Sequence, residues 1–438
     1  MRRSAAQVSL GAGAVLLAGT LLIGPLLGPD GSSASPEPVA ASAAPADDPL
    51  ARSIAGLQDQ LKEREDDDEL WAQLGGAYVE AARVSADPSY YPKAQGALDK
   101  SLGLLKEGND DALTALGALA NARHEFAAGA DWARQAQQVN PANSTSWGVL
   151  ADSLVQLGDY EGSTAAVQQM LDLRPGLPAY TRASYDLELH GQRDRARQAL
   201  ELALRGAFSP ADTAFCRYYL GQLAFTGGDL VEAGHQFQTG LEAVPNDPTL
   251  LAGQARVLAA RGEQDQAVAA YERVVAARPL PDYLFEYATY LESLGLTEAA
   301  DAQFSVLDAA QALFEANGVQ DDLTSALVAA ERGDPKAAVQ HAQREWKLRH
   351  NVDAADAMAW ALHSAGRNEQ ALGYAIKATK LEGPNATFLY HRGMIEAELG
   401  MDAEARTHLK AALATNPHFS PLHAPKARAA LDRLGAGE

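Results

Sequence analysis

Cysteine is almost absent: the 438-residue chain has one, Cys216, set in an apolar stretch. A single thiol excludes an internal disulfide framework and a tetrathiolate zinc site. It reads as a small buried hydrophobe. Positive charge is also short. Lys and Arg number 36 against 57 Asp and Glu, a formal net charge of −21. That balance argues against broad adhesion to nucleic-acid phosphates or anionic lipid headgroups, and it favours solubility and encounter with basic partner segments. No HExxH, nucleophile elbow or Walker loop occurs. The abundant carboxylates show no spacing that singles out acid–base chemistry. β-Branched runs are few while Ala and Leu abound, which is the composition of an all-helical protein.

One long apolar run is present. Val8–Gly28 follows Arg2-Arg3 without a charged residue and is just long enough to cross a bilayer. It predicts a signal peptide or signal anchor over residues 1–28, and so a protein that is secreted or membrane-anchored. Residues 29–47 are rich in Pro, Ala and Ser and read as a flexible linker. Leu50, Ile54, Leu57 and Leu61 then mark one face of an N-terminal helix within 48–68.

From there a short pattern recurs. In Ser144–Pro175, Trp147, Leu150, Ala151 and Leu154 line one helix, Gly158 stops it, and Tyr160, Ser163, Val167 and Leu171 line a second. Turn glycines repeat at 158, 191, 228, 262, 295, 333, 366 and 400, at intervals of 33 to 38 residues. Five residues after each glycine, and seven before it, stands Ala, Ser or Gly. Small side chains at such fixed places let two helices cross closely. Two earlier units are less regular: one has an enlarged turn, VSADPSYYP, and one carries His124 where Gly is usual. The two longest intervals fall at a loop, Arg205–Thr213, and at an extended second helix, Phe304–Gly318.

This pattern of an aromatic residue, Leu, a small residue, a turn Gly, an aromatic, a small residue and a terminal Pro resembles the tetratricopeptide repeat (TPR), in its exported or membrane-anchored bacterial type. The resemblance implies an all-α fold, a right-handed α-solenoid of about ten helix-turn-helix units over 69–417. Residues 418–438 hold a capping helix in which Pro425 opens the first turn and Ala429, Leu431 and Leu434 are apolar.

The resemblance further implies that the first helices line a concave groove for a protein or peptide partner. The groove-facing positions are then Asp152, Tyr185, Tyr218, Gln222, Arg256, Phe285, Thr289, Trp360 and His363. Arg256 is placed to meet a carboxylate, and the aromatics to clasp an apolar anchor. The Lys/Asn set with which some members grip a chaperone's C-terminal carboxylate is not matched. A nucleic-acid partner is not expected, nor is a catalytic residue, a cofactor or a resident metal. Membrane association is assigned to the N-terminal apolar segment, if it is uncleaved.

The leading reading is thus a non-enzymatic scaffold or assembly factor outside the cytoplasmic membrane. One alternative is a chaperone that holds an apoprotein for cofactor insertion, as in cytochrome c maturation. Another is metal handling through His418 and His423, which stand close together in NPHFSPLHAP.

Overall fold

The structure, a computed structural model, describes residues 49–435. The expected signal segment (1–28) and linker (29–47) lie outside the described residues. A lone helix, α1 (Pro49–Glu63), precedes the array and buries Leu57 and Leu61, with Ile54 partly covered. The first pairs are α2–α3 (Asp68–Ser85, Tyr90–Leu104), α4–α5 (Asp110–Ala122, Phe126–Val139) and α6–α7 (Ser144–Leu157, Tyr160–Leu173). Next come α8–α9 (Leu177–Leu189, Arg193–Arg205), α10–α11 (Pro210–Thr226, Leu230–Ala243) and α12–α13 (Pro248–Arg261, Gln264–Ala277). They are followed by α14–α15 (Pro281–Ser293, Thr297–Ala316) and α16–α17 (Asp322–Glu331, Pro335–Leu348). Last are α18–α19 (Val352–Ser364, Asn368–Ala378), α20–α21 (Ala386–Glu398, Asp402–Thr415) and a final helix, α22 (His423–Gly435). The described residues therefore form an all-α solenoid of ten helix pairs between two single helices.

Local chemistry sets these boundaries. All eight turn glycines adopt positive φ, as at Gly158 (84°) and Gly262 (75°), where a side chain is disfavoured. Asn143, Asp159, Asp229, Asp247, Asn351 and Asn385 each accept a backbone N–H at the next helix start, an arrangement that contributes about 0.5–2 kcal/mol each. Close crossing depends on the small residues. The Phe237 ring is fully buried between Gly221 and Gly253, and a Cβ at Gly253 would lie 2.5 Å from it.

Some boundaries differ from the sequence expectation. The enlarged first turn shrinks to residues 86–89, because α2 continues through Ser85 and α3 opens at Tyr90, with Pro92 in its first turn, where a missing N–H costs nothing. The expected loop 205–213 shrinks to 206–209. Ser209 and Asp212 form a reciprocal capping box, so the extra residues lengthen α10. The capping helix begins at His423 rather than Pro425, and it buries Ala424, Ala427 and Ala430 while Ala429 faces solvent. The extended helix is present: α15 runs for 20 residues.

The array does not end as an open trough. It winds back on itself, and each early turn meets a linker 191 to 196 residues later in the chain. His124, in the left-handed region at φ 65°, places its ring Nδ1 3.0 Å from the Gln320 carbonyl oxygen. One unit on, the Val352 N–H donates to the Tyr160 hydroxyl at 2.9 Å, and the Arg349 guanidinium donates to Gln156. Gly383 N–H then donates to the Leu189 carbonyl at 2.9 Å, and the Asn416 amide donates to the Phe225 carbonyl at 2.9 Å. The lengthened α15 contributes to the same seam, since Phe314 and Val319 pack into the core of the first units.

Gly383 sits so near the Glu188 carbonyl that an added Cβ would overlap it. Gly383→Val is accordingly expected to part the seam. Small-angle scattering should then show a larger radius of gyration, with helical circular dichroism unchanged. An unaltered radius contradicts the seam.

Candidate functional site

The winding encloses a central cavity of about 1150 Å3, lined by residues from α2 through α22. First helices supply about half of its wall, and second helices, linkers and the final helix the rest. Of the groove positions read from the sequence, Tyr185, Tyr218, Arg256, Phe285, Thr289 and Trp360 line it. Gln222 stands behind the wall, buried, and accepts from Arg256 Nη1 at 2.7 Å. Asp152 and His363 lie off the wall. Asp152 takes a bidentate bond from Arg182, 2.8 and 2.6 Å, and burial raises its pKa against the pull of that guanidinium. His363 stacks on Trp360 at 4.8 Å and bonds Asn368, and burial lowers its pKa.

Most wall charges are already matched within the chain. The carboxylate that Arg256 meets is its own neighbour, Glu286, at 3.0 Å, and Tyr271 also donates to Glu286, at 2.7 Å. Burial alone would lower the Arg256 pKa, but Glu286 and Tyr218 outweigh it and hold the group well above its usual value. Arg83 pairs with Glu80, and Arg344 and His341 with Asp322. At the far end, Glu331 accepts from Trp360 Nε1 at 2.9 Å and lies 3.2 Å from His423 Nε2. Burial opposes ionisation there, yet these bonds prevail and bring Glu331 down to about 2.

Among the described residues several wall groups lack such a match, the cations Arg278 and Lys347 among them, and three others are set apart by burial. Asp282, in the first turn of α14, has no hydrogen-bond or ion-pair partner among the described residues. Burial, then the nearby charges of Asp321 and Glu286, push its carboxyl up to about 8. Burial likewise raises Asp353, in the first turn of α18, to about 6 despite Arg349. His391 is buried to 3 % exposure, stacks on Trp360 at 4.0 Å, and bonds Asp356 through Nδ1 at 2.9 Å. Its Nε2 is left without a partner. Sequence reading missed all three. The two aspartates look like ordinary acids at helix starts, and His391 sits on an apolar face where packing is the bland explanation.

The C-terminal histidines do not converge on a metal. His423 is engaged by Glu331, His418 has its pKa lowered by burial and by Arg428, and among the described residues no three His, Cys, Asp or Glu side chains form a ligand set. Cys216 is fully buried, and burial pushes its thiol up to about 12, as befits a packing residue.

The tetratricopeptide-repeat family model matches residues 180–248 and 357–418. A relative named cellulose synthase operon protein C, from Pseudomonas fluorescens, is 25% identical over 271 residues, 59% of this chain and 21% of the relative. The chain thus spans about a fifth of that relative's length. Among solved structures, the Cut9–Hcn1 hetero-tetramer of the APC/C is similar over 88% of this chain and 82% of its own, at 16% identity and TM-score 0.42. Human IFIT1 bound to PPP-AAAA is similar over 83% and 87%, at 16% identity and TM-score 0.48. Pseudomonas aeruginosa pilF is similar over 55% of this chain and 91% of its own, at 16% identity and TM-score 0.34.

Asp282 makes the site testable through stability. An ordinary aspartate titrates at 3.8, but this one does so near 8 in the folded chain. Between those values the unfolded chain has released a proton that the folded chain keeps, so stability falls as pH rises through the window. Asn carries no such proton. Asp282→Asn is expected to melt higher than the parent at about pH 8, with a gap that closes towards pH 4. Thermal scans across that range check it, and a variant that melts lower at the alkaline end contradicts it.

Proposed function

We propose that this tetratricopeptide-repeat protein is a non-enzymatic scaffold or assembly factor that holds an extended segment of another protein inside its lumen, outside the cytoplasmic membrane. The observation that carries the reading is the enclosed cavity itself, walled by first helices and rich in aromatic side chains such as Tyr185, Tyr218, Phe285 and Trp360. Its volume of about 1150 Å3 suits a short stretch of chain rather than a folded domain. Rigid aromatic anchors in a desolvated pocket are what concentrate binding energy at protein interfaces. Paired wall charges such as Arg256 with Glu286 stand among these rings.

The location rests on sequence. The uncharged run Val8–Gly28, followed by a Pro/Ala/Ser-rich stretch, motivates export or anchoring. Among the described residues no helix is long and apolar enough to cross a membrane.

A photocrosslinking amino acid in place of Phe285, inside the lumen, is expected to capture a protein partner in native cells. The same group in place of Phe208, which is 97% exposed on an outer loop, is expected not to capture that partner. Identical capture from both positions, or none from Phe285, contradicts the lumen reading.

A further inference from the structure

The outside of the coil carries an apolar strip of its own. α15 is the longest second helix, at 20 residues against 11 to 15 in the others. It buries Ala300, Phe304 and Leu307 among side chains of α14. Its opposite face is apolar too. Val306 is 45% exposed and Leu313 54%, and Ala299, Ala302, Ala309 and Ala316 are exposed in line with them. Other second helices turn polar groups outward, as with Glu161, Gln168 and Asp172 on α7, or Lys336, Gln340 and Gln343 on α17.

These six positions stand 3, 4, 3, 4 and 3 residues apart, the 3.5-residue period with which one α-helix lays its seam along another. The spacing also selects the partner. Ala299, Val306 and Leu313 occupy one alternating set, and Ala302, Ala309 and Ala316 the other. A parallel copy of α15 would stack Leu on Leu and Ala on Ala, in layers alternately wide and narrow. An antiparallel copy sets Leu313 against Ala302 and Val306 against Ala309, twice over, so large meets small in every central layer. Charge permits the same pairing. The strip is bordered along its middle by Gln303, Ser305, Ala310 and Ala312, all uncharged. Asp301, Asp308 and Glu315 form a separate row further round the helix, and Asp308 is already answered by Arg332. Two chains of net charge −21 can thus meet along a neutral strip.

We infer that α15 is a self-association surface, on which a second copy of the chain docks its own α15 antiparallel about a two-fold axis between Leu307 and Asp308. This is independent of what the lumen holds. A single helix pair buries less than the roughly 1,200–2,000 Å2 of a standard interface, so the dimer is weak and forms as concentration rises.

Sedimentation of the full-length chain over about a hundredfold range of concentration tests the inference, with the weight-average mass expected to climb towards twice that of the monomer. Val306→Gln with Leu313→Gln is expected to stay monomeric throughout, and both side chains are exposed enough for the fold to tolerate the change. Val231→Gln with Ile376→Gln, which removes exposed aliphatic groups from α11 and α19, is expected to dimerise as the parent does. Orientation is read from two single variants, Ala302→Cys and Leu313→Cys, treated with a mild oxidant. Cys216 is fully buried and takes no part. The mixture is expected to give disulfide-linked dimers and neither variant alone to do so, because like positions lie about 16 Å apart along an antiparallel seam. A parent that stays monomeric overturns the inference, as do equal loss in both double variants and dimers that neither double variant weakens. Self-linking of either cysteine variant, or no linking in the mixture, overturns the antiparallel pairing.

Discussion

A row of polar contacts between residues 191 to 196 apart in the chain holds this molecule in its shape. Stacked helix pairs touch only their sequence neighbours, so an array of them is an elastic ribbon whose curvature is set by small rotations repeated along its length. Here the ribbon completes a turn after between five and six pairs and bonds to itself. The second pair's turn meets the linker after the seventh pair, the third meets the linker after the eighth, and the fourth and fifth follow in register. Arg349 and Glu345 are both 2% exposed at this seam, a buried pair in which Arg349 also donates through Nη1 to Gln156. Removing one partner of such a pair leaves an uncompensated charge, so the seam is held by groups that lose heavily if it opens. Closure converts a groove into a cavity, and the rest of the chemistry follows from that enclosure.

On the concave wall many ionisable groups lie close together and feel one another strongly. The wall meets this by pairing most of its ionisable groups, Arg256 with Glu286 and Glu331 with Trp360 and His423. Asp282 is one exception. A buried carboxyl raised to about 8 weakens the fold at neutral pH. Groups that cost stability without structural return are concentrated where a ligand is met.

The sequence made the helix pairs legible because their causes are local. A positive-φ turn needs Gly158 or Gly262, and a close crossing needs Gly221 beside Phe237, so each requirement leaves its mark within one repeat. Of the nine positions read as groove-facing, six line the cavity and three do not. Closure was not legible. Tyr160 reads as an ordinary helix-start aromatic, yet its hydroxyl accepts a bond from Val352, 192 residues away. His124 in place of Gly looked like a degenerate repeat, whereas its ring reaches Gln320 across the seam. The long interval at Phe304–Gly318 signalled an extended helix but not its destination among the first units. Pairings over such separations have no period for a one-dimensional pattern to show.

The most direct test of closure is hydrogen exchange at the Gly383 amide. This residue lies between helices, and its N–H is bonded to the Leu189 carbonyl across the seam. A wound coil predicts exchange as slow as that of the flanking helical amides of α20. Exchange at the rate of an unprotected loop, with α20 itself still protected, contradicts it.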